Sequence, residues 1–512
     1  MGHRWRDRAR FRSRVRVGRG LGQVRCAASS GVDMTFSDQD PSGSWGAWGR
    51  RIGLLLGPTL ALAVQGFAPP EGLSAGAWWV VSLSVLMVMW WVTEAIPIAA
   101  TALLPLAVLP LLGAASVKEA AAPYADPIIF LFIGGFMLAA AVEHWRLHER
   151  IALSIASFAG GRPIPLVGCF MLASAVISMW ISNTATTLML APIALGAARA
   201  LSPEGKPDLV LGGALLLGVA HAATIAGVGT PVGSPTNLIA MGFFERAGEP
   251  MAFVDWMSQA IPLILVMLPI SWLLLCAPLF GKRAVTSSAM GQVVRSALEK
   301  LGPISMPEIR IGVIFGLVAL AWMFRVQLNE WPPLAKLSDT SIAVIGALTL
   351  FLVPSGRKRG EKLIDWTRAE RIPWGIAILF GGGLSLAAAM ETTGLAQWIG
   401  AWIVSLEGLS TFGLIVILVL TTILVSELAS NVATLTSMLP VVAAIAEATG
   451  TPLQTLVFPV AIAASFAFML PVATGPNAIA FSSGVVTLKR MLVVGFALNI
   501  AAATAIIALF AA

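Results

Sequence analysis

The sequence predicts an all-α polytopic membrane protein, with about eleven crossings and two re-entrant hairpins arranged as an inverted repeat. Three observations carry that expectation. The 512 residues are 57% hydrophobic and only 12% charged, with a mean hydropathy of +0.85, whereas soluble domains carry roughly a quarter charged residues. Beyond Arg51 the chain resolves into apolar runs near the ~17–25 residues that span a hydrocarbon core. Two blocks of the sequence then repeat each other at an offset of 248 residues.

The first element is a basic tail, residues 1–51. It holds eleven Arg against Asp7, Asp33, Asp38 and Asp40, which is the whole net charge of +7; residues 52–512 carry 22 charges of each sign. The basic balance therefore gives no reason to expect a nucleic-acid partner. The tail lacks the apolar segment of a secretory leader and is expected to be disordered. Three readings stay open: a basic arm near anionic lipid, a targeting peptide, or a start placed upstream of a true initiator at Met34.

Single spans are expected at Ile52 to Phe67, Gly76 to Val92, Ile98 to Gly113, Asp126 to Ala141, Asp255 to Leu279, Ile309 to Phe324, Thr340 to Val353, Pro373 to Met390 and Met491 to Phe510. Leu209 to Phe244 and Pro452 to Val486 are longer and are interrupted by Gly, Pro and Asn, so they read as broken spans. Pro165 to Arg199 and Leu409 to Ala446 are apolar around a central Ser-Asn pair, as a hairpin that enters and leaves on one side would be. The chain thus divides into first spans (52–113), a first repeat (126–244), middle spans with basic loops (255–353), a second repeat (373–486) and a last span (491–512). With the amino terminus inside, eighteen Lys and Arg fall in inside loops and only Lys118, Arg246, Arg325 and Lys336 outside. The positive-inside rule therefore favours a cytoplasmic amino terminus and an outside carboxyl terminus.

The repeat is specific. "FLFIGGFMLAAAVE" at 130–143 matches "ILFGGGLSLAAAME" at 378–391, and "SNTAT" at 182–186 matches "SNVAT" at 430–434. "GSPTN" at 233–237 then pairs with "ATGPN" at 473–477. Five crossings separate the halves, so they face opposite ways, and inverted repeats with broken helices near mid-membrane point to a secondary transporter. A hairpin tip at that depth leaves backbone groups unpaired unless they line a cavity or coordinate something. Ser182-Asn183 and Ser430-Asn431 offer neutral oxygens suited to a small alkali cation. Their amide nitrogens and the helix amino termini behind them suit an anion.

At these motifs the chain resembles the divalent anion:sodium symporter family, whose members carry dicarboxylates, citrate or sulfate. "WWVTEAIPIAATALLPL", "YADPIIFLFIGGFMLAAAVEHWRLHERIAL", "ISMWISNTATTLMLAPIA" and "MLPVATGPNAIAFSSG" carry the resemblance, which runs from about Gly53 to the carboxyl terminus. It implies an elevator-type homodimer, in which hairpins and broken spans slide against a scaffold of the first and middle spans. It also implies two sodium sites, one from Ser178, Ser182, Asn183 and the Gly233 carbonyl, the other from Ser426, Ala429, Asn431 and the Ala473 carbonyl. Substrate contacts would fall on Asn183, Thr184, Ser234 and Pro235, and on Ser430, Asn431, Val432, Thr474 and Gly475. Val432 departs from the family's Thr and Gly475 from its Pro, which leaves the identity of the anion open.

No Lys or Arg lies between Arg162 and Arg199 or between Arg371 and Lys489. Bound cations and helix amino termini must then supply the positive potential, so that anion affinity depends on the cation. The resemblance makes that cation sodium.

The remaining polar residues read as structural. Glu94, Glu143 and Glu391 sit near span ends; Glu427 adjoins a proposed sodium ligand but also reads as structural. His144 and His148 lie on a basic cytoplasmic helix face, not a metal site, and His221 reads as a satisfied residue of an Ala-rich helix. Trp45, Trp48, Trp78, Trp79, Trp90 and Trp91 read as interfacial anchors. Cys26, Cys169 and Cys276 form no C-x-x-C pair, which excludes a disulfide framework or zinc site. No nucleophile with a base and no H-E-x-x-H helix is present, so no enzyme activity and no cofactor beyond coupling sodium is expected. The expected function is sodium-coupled symport of a di- or tricarboxylate, a C4-dicarboxylate such as succinate first, in the inner (cell) membrane. The alternatives are sodium-independent dicarboxylate exchange and sulfate transport on the same fold.

Overall fold

The computed structural model describes residues 23–25, 35–37, 43–160, 162–200, 208–280, 288–404 and 410–511. Met34, Cys26, Lys206, Lys282 and Arg283 lie outside these residues. The described elements are helices, apart from a short antiparallel ribbon pairing Gln23–Arg25 with Thr35–Ser37 and one isolated bridge between Pro354 and Lys362. The first helix, Gly43–Gln65, begins well inside the expected tail. Among the described residues nine helices are long and apolar enough to cross a membrane, and two of them are the arms of the second hairpin.

The same order of elements occurs twice. In the first half a long helix, Ala75–Thr93, leads to short pieces Ile98–Thr101 and Leu104–Leu111, then to a glycine-bearing helix Pro127–His144 and a short helix Leu147–Ser157. The first hairpin (Pro163–Ser178 and Asn183–Arg199), the first broken helix (Leu209–Gly227 and Pro235–Arg246) and a closing helix (Phe253–Cys276) follow. The second half repeats this with Met306–Met323, Asp339–Leu352, Trp374–Thr392 and Leu395–Val404. It ends with the second hairpin (Thr411–Leu428 and Asn431–Thr449), the second broken helix (Leu453–Ser465 and Gly475–Ser482) and the closing helix Leu488–Phe510. Leu147–Ser157 carries the His148 helix face expected from sequence, whereas Leu395–Val404, too short to span and without a charge, has no such signal.

The segment Ile98 to Gly113, expected as one span, is two short helices. Pro97, Pro105 and Pro110 each withhold a backbone donor, and the chain breaks at Ala102-Leu103. The freed Ala102 carbonyl accepts the Tyr124 hydroxyl. Gly382 crosses there so closely that any Cβ would overlap the Ala102 backbone, and its repeat partner Gly134 crosses Ala343 in the same way. The paired glycines at offset 248 are therefore helix-crossing points.

Small residues also explain the centre of the molecule. Every residue from Leu211 to Gly227 is buried, in a stretch dominated by Leu, Ala and Gly that lets the first hairpin pack closely on it. A smaller apolar cluster joins the first spans to Trp374–Thr392, Leu395–Val404 and Asn431–Thr449. Trp91, expected as an interfacial anchor, is wholly buried and donates through Nε1 to the Ile98 carbonyl at 3.1 Å.

An ion pair ties the halves together on the basic-loop side. Arg150 Nε lies 2.7 Å from Glu308 Oε1, with the Glu308 side chain 6% exposed. Ser305 donates to the other Glu308 oxygen through its backbone N–H at 2.7 Å and its hydroxyl at 2.6 Å. Arg150→Ala leaves that buried carboxylate to Ser305 alone and should lower stability by roughly 2 kcal/mol. Thermal unfolding of the detergent-solubilised protein measures it, and an unchanged midpoint would refute the role. His148, expected on a cytoplasmic helix face, is buried, its Nδ1 3.2 Å from the Val142 carbonyl. Burial pushes its imidazole below the usual histidine range.

Candidate functional site

Each hairpin tip meets the break of its own half's broken helix. Ser182 and Ser430 are the amino-terminal caps of the inner hairpin arms, so the polar pair ends one helix and starts the next, as a Ser-Asn sequence favours. At the first tip, Ser178 Oγ lies 2.8 Å from Asn183 Oδ1 and also within hydrogen-bonding reach of the Ala223 carbonyl. At the second, Ser426 Oγ lies 2.9 Å from Asn431 Oδ1 and 2.5 Å from the Ala464 carbonyl. Asn431 Nδ2 donates to the Ser465 carbonyl at 3.2 Å, which fixes its amide with the oxygen toward Ser426.

Both clusters therefore gather three oxygens around one hydroxyl proton. That proton can serve only one acceptor, so lone pairs are in excess and the arrangement can receive a small hard cation. Ser178 and Ser426 are fully buried, while Asn183 and Asn431, half-buried, face the open side. Ala223 and Ala464 were not foreseen as contributors: a backbone carbonyl leaves no trace in the identity of its residue.

The other expected cation ligands sit around these clusters. Gly233 lies so close to the tip that a Cβ would come within 2.6 Å of the Gly227 carbonyl oxygen and 2.8 Å of that of Met179. Ala429 and Ala473 are buried at the second tip and second break. Ser182 is brought less close. It is exposed, and its hydroxyl accepts the Ala185 N–H at 3.2 Å as a helix cap.

The expected substrate contacts form the open side of the same assembly. Thr184 and Gly475 are exposed, whereas Asn183, Pro235, Ser430, Asn431, Val432 and Thr474 are half-buried and Ser234 is 6% exposed. Thr184 Oγ1 occupies the space a Cβ on Gly475 would need. A proline at position 475 could not sit there with Thr184 so placed. Val432 packs against both apolar clusters and brings no hydroxyl.

The halves are crossed. The inner arm of the first hairpin packs against Gly475–Ser482 of the second break, and the inner arm of the second against Pro235–Arg246 of the first. Four helix amino termini, at Asn183, Pro235, Asn431 and Gly475, thus belong to one region. Their partial positive charges favour an anion.

Each break is stapled by an Asn. Asn237 Nδ2 donates to the Gly227 and Thr230 carbonyls at 2.9 and 2.8 Å, and Asn477 Nδ2 to those of Ala467 and Leu470 at 3.1 Å each. The remaining support differs between halves. In the first break, Trp256 Nε1 donates to the Val228 carbonyl at 2.8 Å and the Thr230 hydroxyl donates to the Met179 carbonyl. In the second, the Glu427 carboxylate accepts the backbone N–H groups of Phe468 (2.7 Å), Met469 (2.9 Å) and Leu470 (3.0 Å), and Asn499 Nδ2 at 2.7 Å. Glu427 is a structural clamp. Glu94 and Glu391 are exposed at helix ends, in line with their expected positions, and Glu143 is half-buried. His221 departs from expectation: it is wholly buried, packs edge-on to Phe468 at 5.3 Å, and neither ring nitrogen has a hydrogen-bond partner.

Two hairpin tips set against two backbone breaks, inside a bundle of membrane-length helices, define the class of secondary transporters. The chain belongs to the sodium:sulfate symporter family: the model of the "Sodium:sulfate symporter transmembrane region" matches residues 51–512. It is similar to the sodium-dependent dicarboxylate transporter SdcS of Staphylococcus saprophyticus, 36% identical over 476 residues that cover 91% of this chain and 92% of the relative. The Staphylococcus aureus SdcS is 36% identical over 468 residues, 90% of each chain. These relatives are transporters, not enzymes. Among solved structures the fold is similar to that of Neisseria gonorrhoeae MtrF, described with a class of antimetabolite efflux pumps (TM-score 0.54, 15% identity, 88% of this chain and 97% of that one). The Alcanivorax borkumensis YdaH transporter shares it as well (TM-score 0.51, 13% identity, 85% and 98%).

Proposed function

We propose that this protein moves a small di- or tricarboxylate, a C4-dicarboxylate such as succinate first, across the cell membrane by symport with sodium. The observation that carries this reading is the pair of three-oxygen clusters behind four helix amino termini, with no Lys or Arg in either hairpin before its last residue, Arg199. A dianion there gains helix-dipole attraction, but two carboxylate charges need more than four half-charges shared with solvent. Cations in the clusters supply the rest, and the anion holds the cations in return. That reciprocity is the coupling. The names of the similar staphylococcal proteins support sodium as the cation and a dicarboxylate as the anion.

Ser178, Ser182, Asn183 and the Gly233 carbonyl serve the first cation in this reading, and Ser426, Ala429, Asn431 and the Ala473 carbonyl the second. The anion lies between Asn183, Thr184, Ser234 and Pro235 on one side and Ser430, Asn431, Val432, Thr474 and Gly475 on the other. The repeats are inverted, the amino terminus is cytoplasmic, the carboxyl terminus is outside, and two copies form a homodimer. Hairpins and broken helices move as one body against the remaining spans. The Lys and Arg distribution over the loops supports the orientation.

Uptake of labelled succinate into liposomes tests the reading. An inward sodium gradient should drive accumulation that a choline gradient does not. Uptake indifferent to sodium but dependent on internal dicarboxylate would replace symport by exchange on the same fold. Competition by citrate and by sulfate then ranks the anions.

A further inference from the structure

A chain of three hydroxyls joins the two breaks. Ser234 Oγ lies 2.7 Å from Thr236 Oγ1, and Thr236 Oγ1 lies 2.7 Å from Ser465 Oγ. Thr236 is fully buried and Ser465 is 1% exposed. Ser465 ends the helix Leu453–Ser465, and its carbonyl holds the Asn431 amide. The chain therefore runs from the open side at Ser234 to the second oxygen cluster.

Three hydroxyls have three protons, and the two short gaps use one proton each. The third proton has three places to go: outward from Ser234, from Thr236 to Asn237 Oδ1, or from Ser465 to the Ala461 carbonyl. The last two distances are both 3.4 Å, beyond the 2.5–3.0 Å of a good O–H···O bond. Only the first arrangement, Ser465 to Thr236 to Ser234, keeps both short bonds and leaves a proton free to meet an anion.

We propose that Thr236 is a positioning residue that sets the polarity of this chain, so that Ser234 presents a hydrogen-bond donor to the carboxylate. The inference rests on the assignment of Ser234 as a substrate contact. A fully ionised carboxylate has acceptors alone, so a Ser234 lone pair aimed at it repels and a Ser234 proton binds. Thr236 controls which is offered. Because the far end of the chain is the residue that holds Asn431, the same hydroxyls link the anion's donor to the second cation cluster.

The test is a mutant cycle read by initial rates of succinate uptake in liposomes. Thr236→Val keeps the shape and removes the hydroxyl; it should raise KM about tenfold, with kcat changed less than about twofold. Thr236→Ser restores the hydroxyl and should restore KM, which a packing role would not require. In a Ser234→Ala background Thr236→Val should add nothing, since both act through one donor. Ser465→Ala approaches the chain from its other end and should raise KM in the same sense, so the proposal stands or falls even if the valine variant does not insert. Independent, additive effects of Ser234→Ala and Thr236→Val, or an unchanged KM in both Thr236→Val and Ser465→Ala, overturn the proposal alone. An unchanged KM in Ser234→Ala overturns the substrate assignment as well.

Discussion

Asn431→Ala is expected to abolish sodium-driven uptake. The substitution removes one of three oxygens in the second cluster and, with it, the amide that bonds the Ser465 carbonyl at 3.2 Å. Asn183→Ala does the same to the first cluster, where Oδ1 meets Ser178. Each site then keeps too few oxygens to replace a cation's hydration shell, and without the cation the anion faces a region that lacks Lys and Arg. A loss of at least about 100-fold in uptake per variant corresponds to roughly 2.7 kcal/mol. Uptake per inserted protein in liposomes measures it, with insertion checked by size-exclusion behaviour. Normal uptake by the double variant would remove both clusters from the mechanism.

Glu427→Ala should have the largest effect on stability. It strands three backbone N–H groups and the Asn499 amide around a side chain that is 5% exposed. Each unsatisfied buried group costs about 1–3 kcal/mol, so the loss should exceed about 3 kcal/mol even with partial relaxation. Glu427→Gln keeps one acceptor oxygen but turns an amide donor toward N–H groups, and should fall between the two. Thermal unfolding in detergent is expected to rank wild type above Gln above Ala. Equal midpoints for wild type and Ala would show that the second break is held by Asn477 and packing alone.

The hairpins could be read from sequence because a Ser-Asn pair in an apolar run, which alone reads as a helix-packing pair, recurs in register at the 248-residue offset. The same pattern exposed the glycine-bearing helices, though not why the glycines are there; that needed the Ala102 and Ala343 backbones across from Gly382 and Gly134. What stayed hidden has one physical character. The oxygens of Ala223 and Ala464 are backbone atoms, and the partners of Glu427 are backbone amides about forty residues further along. Thr236 lay within a motif valued for its Ser and Pro, while its partner Ser465 is 229 residues away. Short-range pattern finds where a helix must stop; it does not find which distant group occupies the gap. His221 is the opposite failure: its type suggested a partner, and the buried ring has none.

The crossed packing of hairpin arms and breaks also bears on chain length. Each hairpin tip meets the break of its own half, but the inner arm behind it packs against the second piece of the other half's broken helix. On the proposed reading, half of this protein is not a weaker carrier: it lacks one wall of the anion's pocket.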